Sequence, residues 1–385
     1  MRIGIELSNI RIGGGVTHII EILRELKPEE HCVEQVVVWA GANMLKSLPV
    51  RPWLKIIHEP MLDMSLPARI YWQIARLHQL ARSEACDVLF LPGAGVGSRF
   101  KPYVTMSQNL LPFYPKESLR YGVSWMYLRL LLLKFSQARS FRMADGVIFL
   151  SEYARSMVMG KPNHLTGNSV VIPHGVSKSF FQLPKIQKSK SDYSKSKPFH
   201  FLYTSTVDVY KHHWKVAEAI SLLRQEGYPV ALDFVGPAYT QEFNRLKRTL
   251  DRIDHTENFI NYHGAATYEK IVNYYHQADA FVFASTCETF GQILLEAMAS
   301  GLPIACSNRR PMTDLLSGAG AYFDPEKPHE IANVLKRLFD DVSLRDSLAH
   351  KAYERAKEYS WKQCAHETFS FIAMVSRKRR GKINA

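Results

Sequence analysis

Short apolar, β-favouring runs alternate with amphipathic stretches from one end of the chain to the other. In the first half the runs fall at residues 2–8, 33–40, 54–59, 87–92, 103–107, 146–151 and 169–173, and each predicts a strand. Helical periodicity lies between several of them, notably over 16–27, 66–82 and 120–144. The alternation then restarts. Strands are predicted at 199–205, 230–235, 259–263, 279–285, 303–307 and 320–323, and helices near 212–226, 240–253, 267–277, 290–300, 327–340 and 343–358. Strands and helices in this order predict parallel sheets covered by helices on both faces, an α/β architecture. Between the halves, Lys185 to Lys197 is polar and low in complexity, the clearest linker signal in the chain. The expected organisation is a Rossmann-like domain over 1–183, a linker over 184–198 and a second Rossmann-like domain over 199–360.

Composition narrows the class. The chain has 385 residues, 46% hydrophobic and 22% charged, which suits one or two globular domains with an ample core. Its five cysteines (Cys32, Cys86, Cys287, Cys306, Cys364) include no close pair, which points to a reducing compartment and away from a disulfide or zinc framework. Met1-Arg2-Ile3-Gly4-Ile5-Glu6 runs directly into a strand without a signal-peptide pattern, and no apolar stretch reaches the roughly 18 residues of a membrane span. Net charge is +13, and part of it is concentrated: residues 178–198 carry six lysines and one aspartate, and the tail reads Arg377-Lys378-Arg379-Arg380-Gly381-Lys382. Such segments either attract polyanions and anionic membranes or are simply solvated.

The chemistry concentrates in Cys287-Glu288-Thr289-Phe290-Gly291-Gln292-Ile293-Leu294-Leu295-Glu296. The apolar run 281–285 ends just before it, and Thr289 with Gln292 makes a capping-box pattern that opens a helix. Gly301 and Pro303 close that helix. Glu288 therefore falls in the loop at the carboxyl end of a strand, where open α/β sheets bind ligands. Glu296 falls about two turns into the helix, on an apolar surface where a carboxylate needs hydrogen-bond donors. Cys287 reads as a pocket-wall residue, because no histidine stands near it in sequence.

Two glutamates eight positions apart around Phe-Gly, in a strand, loop, helix, Gly-Leu-Pro setting, resemble the Glu-x7-Glu motif of retaining glycosyltransferases of family 4, which have the GT-B fold. The resemblance implies two Rossmann-like domains facing across a cleft, with the C-terminal segment 361–385 packing back on the first. It implies that Glu288 holds the donor hexose and Glu296 the ribose, with the amides of Phe290 and Gly291 near the sugar and phosphates. Gly13-Gly14-Gly15, between the first strand and first helix, resembles the family's glycine loop, so Gly14 and Gly15 are expected on the donor phosphates. Lys211 matches the lysine of a pyrophosphate-binding Arg-Lys pair. The arginine is absent, Ser205 or Thr206 occupying that region, and His212 or His213 would supply part of the charge if protonated. Gln108-Asn109 stands where many members have His-Asp, on the acceptor side, and replaces two titratable groups with amides. Ile172-Pro173-His174-Gly175-Val176 resembles a structural turn closing the first domain, and His18 reads as a packing histidine.

The resemblance implies a retaining, metal-independent glycosyltransferase with no cofactor, no metal ligands and no nucleic-acid partner. Its donor would be a GDP- or UDP-hexose, with mannose favoured, and its acceptor a saccharide or lipid-linked saccharide of a bacterial surface polysaccharide. Lys211 and Glu288 would carry the catalysis. The expected place is the cytoplasm, with peripheral contact at an anionic inner membrane surface. The helix around 125–135, apolar and studded with Arg129 and Lys134, fits either such contact or burial within the first domain. Two other classes stand beside this one: a GT-B-fold sugar-nucleotide epimerase and a non-catalytic basic binding protein.

Overall fold

A computed structural model describes residues 1–11, 13–160, 167–254 and 259–383, with side chains up to Arg379. The basic groups of Arg380 and Lys382, and residues 384–385 of the expected C-terminal helix, lie outside the described residues. The chain forms two compact units, residues 1–175 with 360–385, and residues 176–359.

The first unit holds strands β1 (Arg2–Glu6), β2 (Gln35–Ala40), β3 (Leu54–His58), β4 (Val88–Leu91), β5 (Tyr103–Ser107), β6 (Gly146–Phe149) and β7 (Asn168–Val171). The second holds β8 (Phe199–Thr204), β9 (Val230–Val235), β10 (Ile260–Tyr262), β11 (Ala280–Phe283), β12 (Ile304–Ser307) and β13 (Ala321–Phe323). Every pairing between these strands is parallel, in the orders β3-β2-β1-β4-β5-β6-β7 and β10-β9-β8-β11-β12-β13. A strand buried on both faces must be apolar throughout, and Val36, Val37, Val38 and Trp39 of β2 are fully buried, as are Phe281, Val282 and Phe283 of β11. Each winding reverses once, between β1 and β4 in one sheet and between β8 and β11 in the other. The loops leaving those strands are where such sheets take ligands.

Six helices matter below: α1 (Gly14–Glu25), α2 (Trp125–Met143), α3 (His213–Gln225), α4 (Tyr268–Gln277), α5 (Gln292–Ala299) and α6 (Trp361–Ile383). α6 packs within the first unit, on α1 and β4 to β6. The turn after Ile172 makes room for it, since a Cβ on Gly175 would lie 2.0 Å from the backbone nitrogen of Trp361. His174 stacks on His18, with ring centroids 4.9 Å apart, and both rings meet Trp361. His18 is thus a packing residue, and burial holds its pKa well below the usual histidine value.

The structure departs from the sequence reading in three places. Residues 184–198 are no free linker. Tyr193 sits between Phe199 and Phe339, Lys185 donates to the carbonyl of Ala278 at 2.8 Å, and the buried Arg345 donates to Gln187 and to the carbonyl of Lys188, all within the second unit. The single helix expected over 66–82 is broken by a π turn at Trp72–Arg76, between helices at Leu66–Tyr71 and Leu77–Ser83. On α2 the buried side chains are Leu130, Gln137, Ser140 and Phe141, while Trp125, Leu128, Leu132 and Phe135 are exposed, so core packing does not account for its apolar residues.

Candidate functional site

In the second unit the chain leaves β8 through Ser205 to Asp208 and closes a 3₁₀ turn, Val209–Lys211, capped by the Asp208 carboxylate accepting from Val209 N–H at 2.7 Å. It leaves β11 through Ala284 to Phe290. These are the two strands flanking the reversal of the sheet, and their loops are stitched together. Thr286 donates its backbone N–H to the carbonyl of Tyr210 at 2.9 Å, and its hydroxyl donates to the same carbonyl at 3.2 Å. The Tyr203 hydroxyl donates to the Lys211 carbonyl at 2.5 Å. Lys211 is buried, lies 5.1 Å from the ring centres of Tyr210 and Phe283, and makes a direct ion pair with Glu288. Topology therefore joins the two residues assigned a catalytic role, 77 positions apart in sequence.

The helix carrying the second glutamate begins later than the capping pattern predicts. Gly291, at φ 108°, is the N-cap and Gln292 the first helical residue. No side-chain oxygen caps this end, because a left-handed glycine turns the chain in place of Thr289. Phe290 and Gly291 thus belong to the entering loop, and Glu296 is the fifth residue of α5, just over one turn in. Leu294, Leu295 and Met298 are completely buried. At roughly 1.5–3 kcal/mol each, they outweigh the few kcal/mol that a buried carboxyl costs, and so they fix Glu296 in place.

The Glu296 side chain keeps an accessible edge, but its carboxyl group is enclosed. Tyr275 of α4 donates to its Oε2 at 3.2 Å, and the Tyr275 hydroxyl also lies 3.0 Å from the carbonyl of Ile293 and 2.5 Å from Thr204 Oγ1. Burial pushes the Glu296 carboxyl up to about 7, partly offset by hydrogen bonds from Tyr275 and Gln292. A group so placed gains charge when further donors arrive, such as the hydroxyls of a diol. Tyr275 and Thr204 were not among the sequence candidates. A tyrosine in an amphipathic helix 21 positions away gives no local sign of this contact.

His213 does not supply the missing positive charge. It is buried and stacked on Tyr203, with centroids 4.5 Å apart and planes at 5°, and burial, then the charge of Lys211, holds its pKa well below the usual value. His212 is buried too, in a left-handed conformation at φ 52°, with Nε2 3.4 Å from Thr286 Oγ1. Cys287 is buried, as a wall residue would be.

In the first unit, Gly13 (φ 73°) caps α1, and Gly14 and Gly15 are its first residues, with no side-chain cap and no acid in the first turn. A Cβ on Gly15 would lie 2.6 Å from Gln108 Oε1, the end of a flexible side chain, so the start of α1 lies beside the end of β5. Gln108 donates to Met106 Sδ at 3.2 Å. Asn109 is exposed, and its Oδ1 accepts from Leu111 N–H at 3.0 Å, so its carbonyl serves the strand-end turn. A buried acid nearby escaped the sequence reading. Glu6, the last residue of β1, accepts from Gln73 at 2.9 Å and from Ser8 N–H at 3.0 Å. Gln73 lies in the π turn, and its Oε1 accepts from Val96 N–H at 3.2 Å, tying the loops after β1 and β4 together. The visible signal was a glutamate closing an otherwise apolar strand.

Comparison with known proteins gives the family and the fold. Residues 185–355 match the family model "Glycosyl transferases group 1", and residues 12–180 match "Glycosyltransferase Family 4". The chain is 26% identical over 273 residues to the O-antigen chain mannosyltransferase B of Escherichia coli, a match covering 68% of this chain and 66% of that protein. It is 26% identical over 271 residues to the serotype-specific mannosyltransferase WbdA of Escherichia coli, covering 68% of this chain and 32% of that protein. The matched stretch thus spans just under two thirds of one relative and about a third of the other. Among solved structures, the sucrose-phosphate synthase of Thermosynechococcus elongatus superposes over 100% of both chains with a TM-score of 0.76 at 15% identity, which shows a shared GT-B fold.

Proposed function

The chain belongs to the glycosyltransferases of group 1 and family 4, and we propose that it moves a hexose, mannose in our reading, from a nucleotide-sugar donor to a saccharide acceptor with retention of configuration. The observation that carries this reading is the Lys211–Glu288 ion pair, set by the two strands that flank the sheet reversal, with the Glu296 carboxyl buried on the next helix. Glu288 accepts hydroxyls of the hexose, and Glu296 accepts those of the ribose. Lys211, with the amides entering α5, stabilises charge growing on the diphosphate.

The acceptor hydroxyl attacks the anomeric carbon on the face that the diphosphate leaves. The C–O bond to the diphosphate breaks as the new glycosidic bond forms, and the departing phosphate oxygen takes the hydroxyl proton. Such a step needs positioning and charge stabilisation rather than a strong side-chain base, in keeping with amides at 108 and 109. In this reading no metal or cofactor takes part. The likeness to O-antigen mannosyltransferases supports mannose and a surface-polysaccharide acceptor, and in our reading the donor is GDP-mannose.

We place the protein in the cytoplasm, at the inner membrane face, where a lipid-linked acceptor would be met. Among the described residues no helix is long and apolar enough to cross a membrane. Trp125, Leu128, Leu132 and Phe135 recur at helical spacing on the exposed side of α2, beside the exposed Arg129, which suits a helix lying at an anionic interface. Flotation with anionic vesicles should fall clearly in a Trp125→Ser/Phe135→Ser variant, and equal flotation would remove this element.

The transfer reading is tested with a panel of GDP- and UDP-hexoses. One donor should release its nucleotide diphosphate slowly alone and faster with acceptor, with EDTA leaving the rate unchanged. Full activity of Glu288→Ala would sink the assignment of the site.

A further inference from the structure

A second cluster lies outside the transfer site. Glu30 and His31 end a 3₁₀ turn, Pro28–His31, and His366 stands on α6, 335 or more positions away, all within the first unit. One nitrogen of each ring and a carboxylate oxygen lie within 4.8 Å of one another, the only such group of three among the described residues. His366 Nδ1 is 3.3 Å from Glu30 Oε2. The two rings have centroids 4.9 Å apart. Around a tetrahedral ion with bonds of about 2.0–2.1 Å, ligand atoms are separated by about 3.3 Å. One edge of that figure is therefore already present, and side-chain rotations of roughly 1 Å would close the others.

The surroundings suit a cation despite the basic chain. Lys27 Nζ holds Glu30 Oε1 at 3.0 Å and leaves Oε2 toward His366. His31 is buried, so its ring is held in a fixed place beside His366. Ser370 Oγ lies 3.4 Å from His31 Nδ1 and orients the ring. The three groups line a pocket of ≈ 210 Å³ with Glu25, Ser360 and Gln363, room enough for an ion and a water. Lys362 also lines it, and its flexible ammonium can turn to solvent.

We propose that Glu30, His31 and His366 form a site for a borderline divalent transition ion, Zn²⁺ being the best match to two imidazoles and a carboxylate, which clasps α6 to the turn before β2. The role is structural: the ion joins ligands from opposite ends of the chain inside one unit and stabilises the folded form by mass action. It is separate from the metal-independent transfer proposed above.

The test uses the full chain, free of any affinity tag, in a Cys32→Ser background, because Cys32 is an exposed thiol beside His31. Calorimetric titration with Zn²⁺ should give one ion per chain, and Zn²⁺ should raise Tm by about 2 °C or more at a hundredfold excess over Kd, while Mg²⁺ gives no rise. His366→Ala, which alters an exposed residue, and Glu30→Gln should each weaken binding at least about tenfold. Co²⁺ should bind without a thiolate charge-transfer band. Absence of one-to-one binding, or binding unchanged in His366→Ala and Glu30→Gln, would leave only an ordinary Glu30–His366 ion pair and overturn the proposal. Neither result bears on sugar-nucleotide turnover, which these variants should leave at the parental rate.

Discussion

At the carboxyl ends of β1 and β5 the first unit presents the buried Glu6, glycines, a glutamine and an asparagine. At the carboxyl ends of β8 and β11 the second presents a buried lysine, its glutamate and, one helix on, a second glutamate raised toward neutrality. The sheets wind alike and reverse at equivalent places. What differs is the kind of group at these strand ends. A backbone without side chains admits a phosphate by shape and amide dipoles, whereas a lysine paired with a carboxylate fixes charge and hydroxyl positions. In our account the second unit therefore carries the side-chain part of donor recognition and transition-state stabilisation.

That division is broken or sharpened by substitutions ranked by expected effect. Lys211→Ala should cost most, on the order of 10²–10³ in kcat/KM, because it removes the one side-chain cation assigned to the diphosphate. It also leaves the Glu288 carboxylate unpaired, so Lys211→Ala/Glu288→Gln serves as the control for stability. If the double variant folds normally and keeps near-parental kcat/KM, the second unit does not hold the chemistry.

Glu296→Gln should act mainly on donor KM, on the order of tenfold, and it should change the pH profile. The wild-type carboxyl is raised from 4.5 to about 7. Between those values the unfolded chain has lost a proton that the folded chain keeps. Stability is therefore greatest below about 4.5, falls as pH rises to about 7, and levels off above it. The full loss is of the order of 3 kcal/mol at most. Donor affinity should rise over the upper part of that range as the carboxylate forms and accepts ribose hydroxyls. Denaturant titration and donor KM at pH 6 and 8 should show both slopes in the wild type and neither in Glu296→Gln. Slopes that persist in the variant would assign them to another group.

Gln108→Ala should have the smallest effect, less than about tenfold on kcat, because no proton is assigned to this amide. A loss as large as that of Lys211→Ala would mean that the first unit carries chemistry of its own.

All thirteen strands among the described residues were legible, because buried parallel strands must be continuous apolar runs bounded by turns, as β2 and β11 are. The Glu288–Lys211 region was legible too, as the ends of two strands. What escaped depends on distant partners. Residues 184–198 look like a polar tether until Phe199, Phe339 and Arg345 gather around them. The start of α5 was misplaced because a left-handed Gly291 outcompeted the Thr289 cap. His213 looked like a source of charge until Tyr203 covered it. Tyr275 and Thr204 gave no local sign of the carboxyl they support. The sequence likewise showed no grouping of metal-ligating residues, because His366 reaches Glu30 and His31 only once α6 has folded onto the first unit.

The most direct measurement of the central claim is calorimetric titration of a GDP- and UDP-sugar panel into the wild type, Lys211→Ala and Gln108→Ala. The account predicts one preferred sugar nucleotide, binding weakened at least about a hundredfold by Lys211→Ala and within about threefold of wild type in Gln108→Ala. Equal affinity of wild type and Lys211→Ala for that donor, in protein shown to be folded, would contradict it.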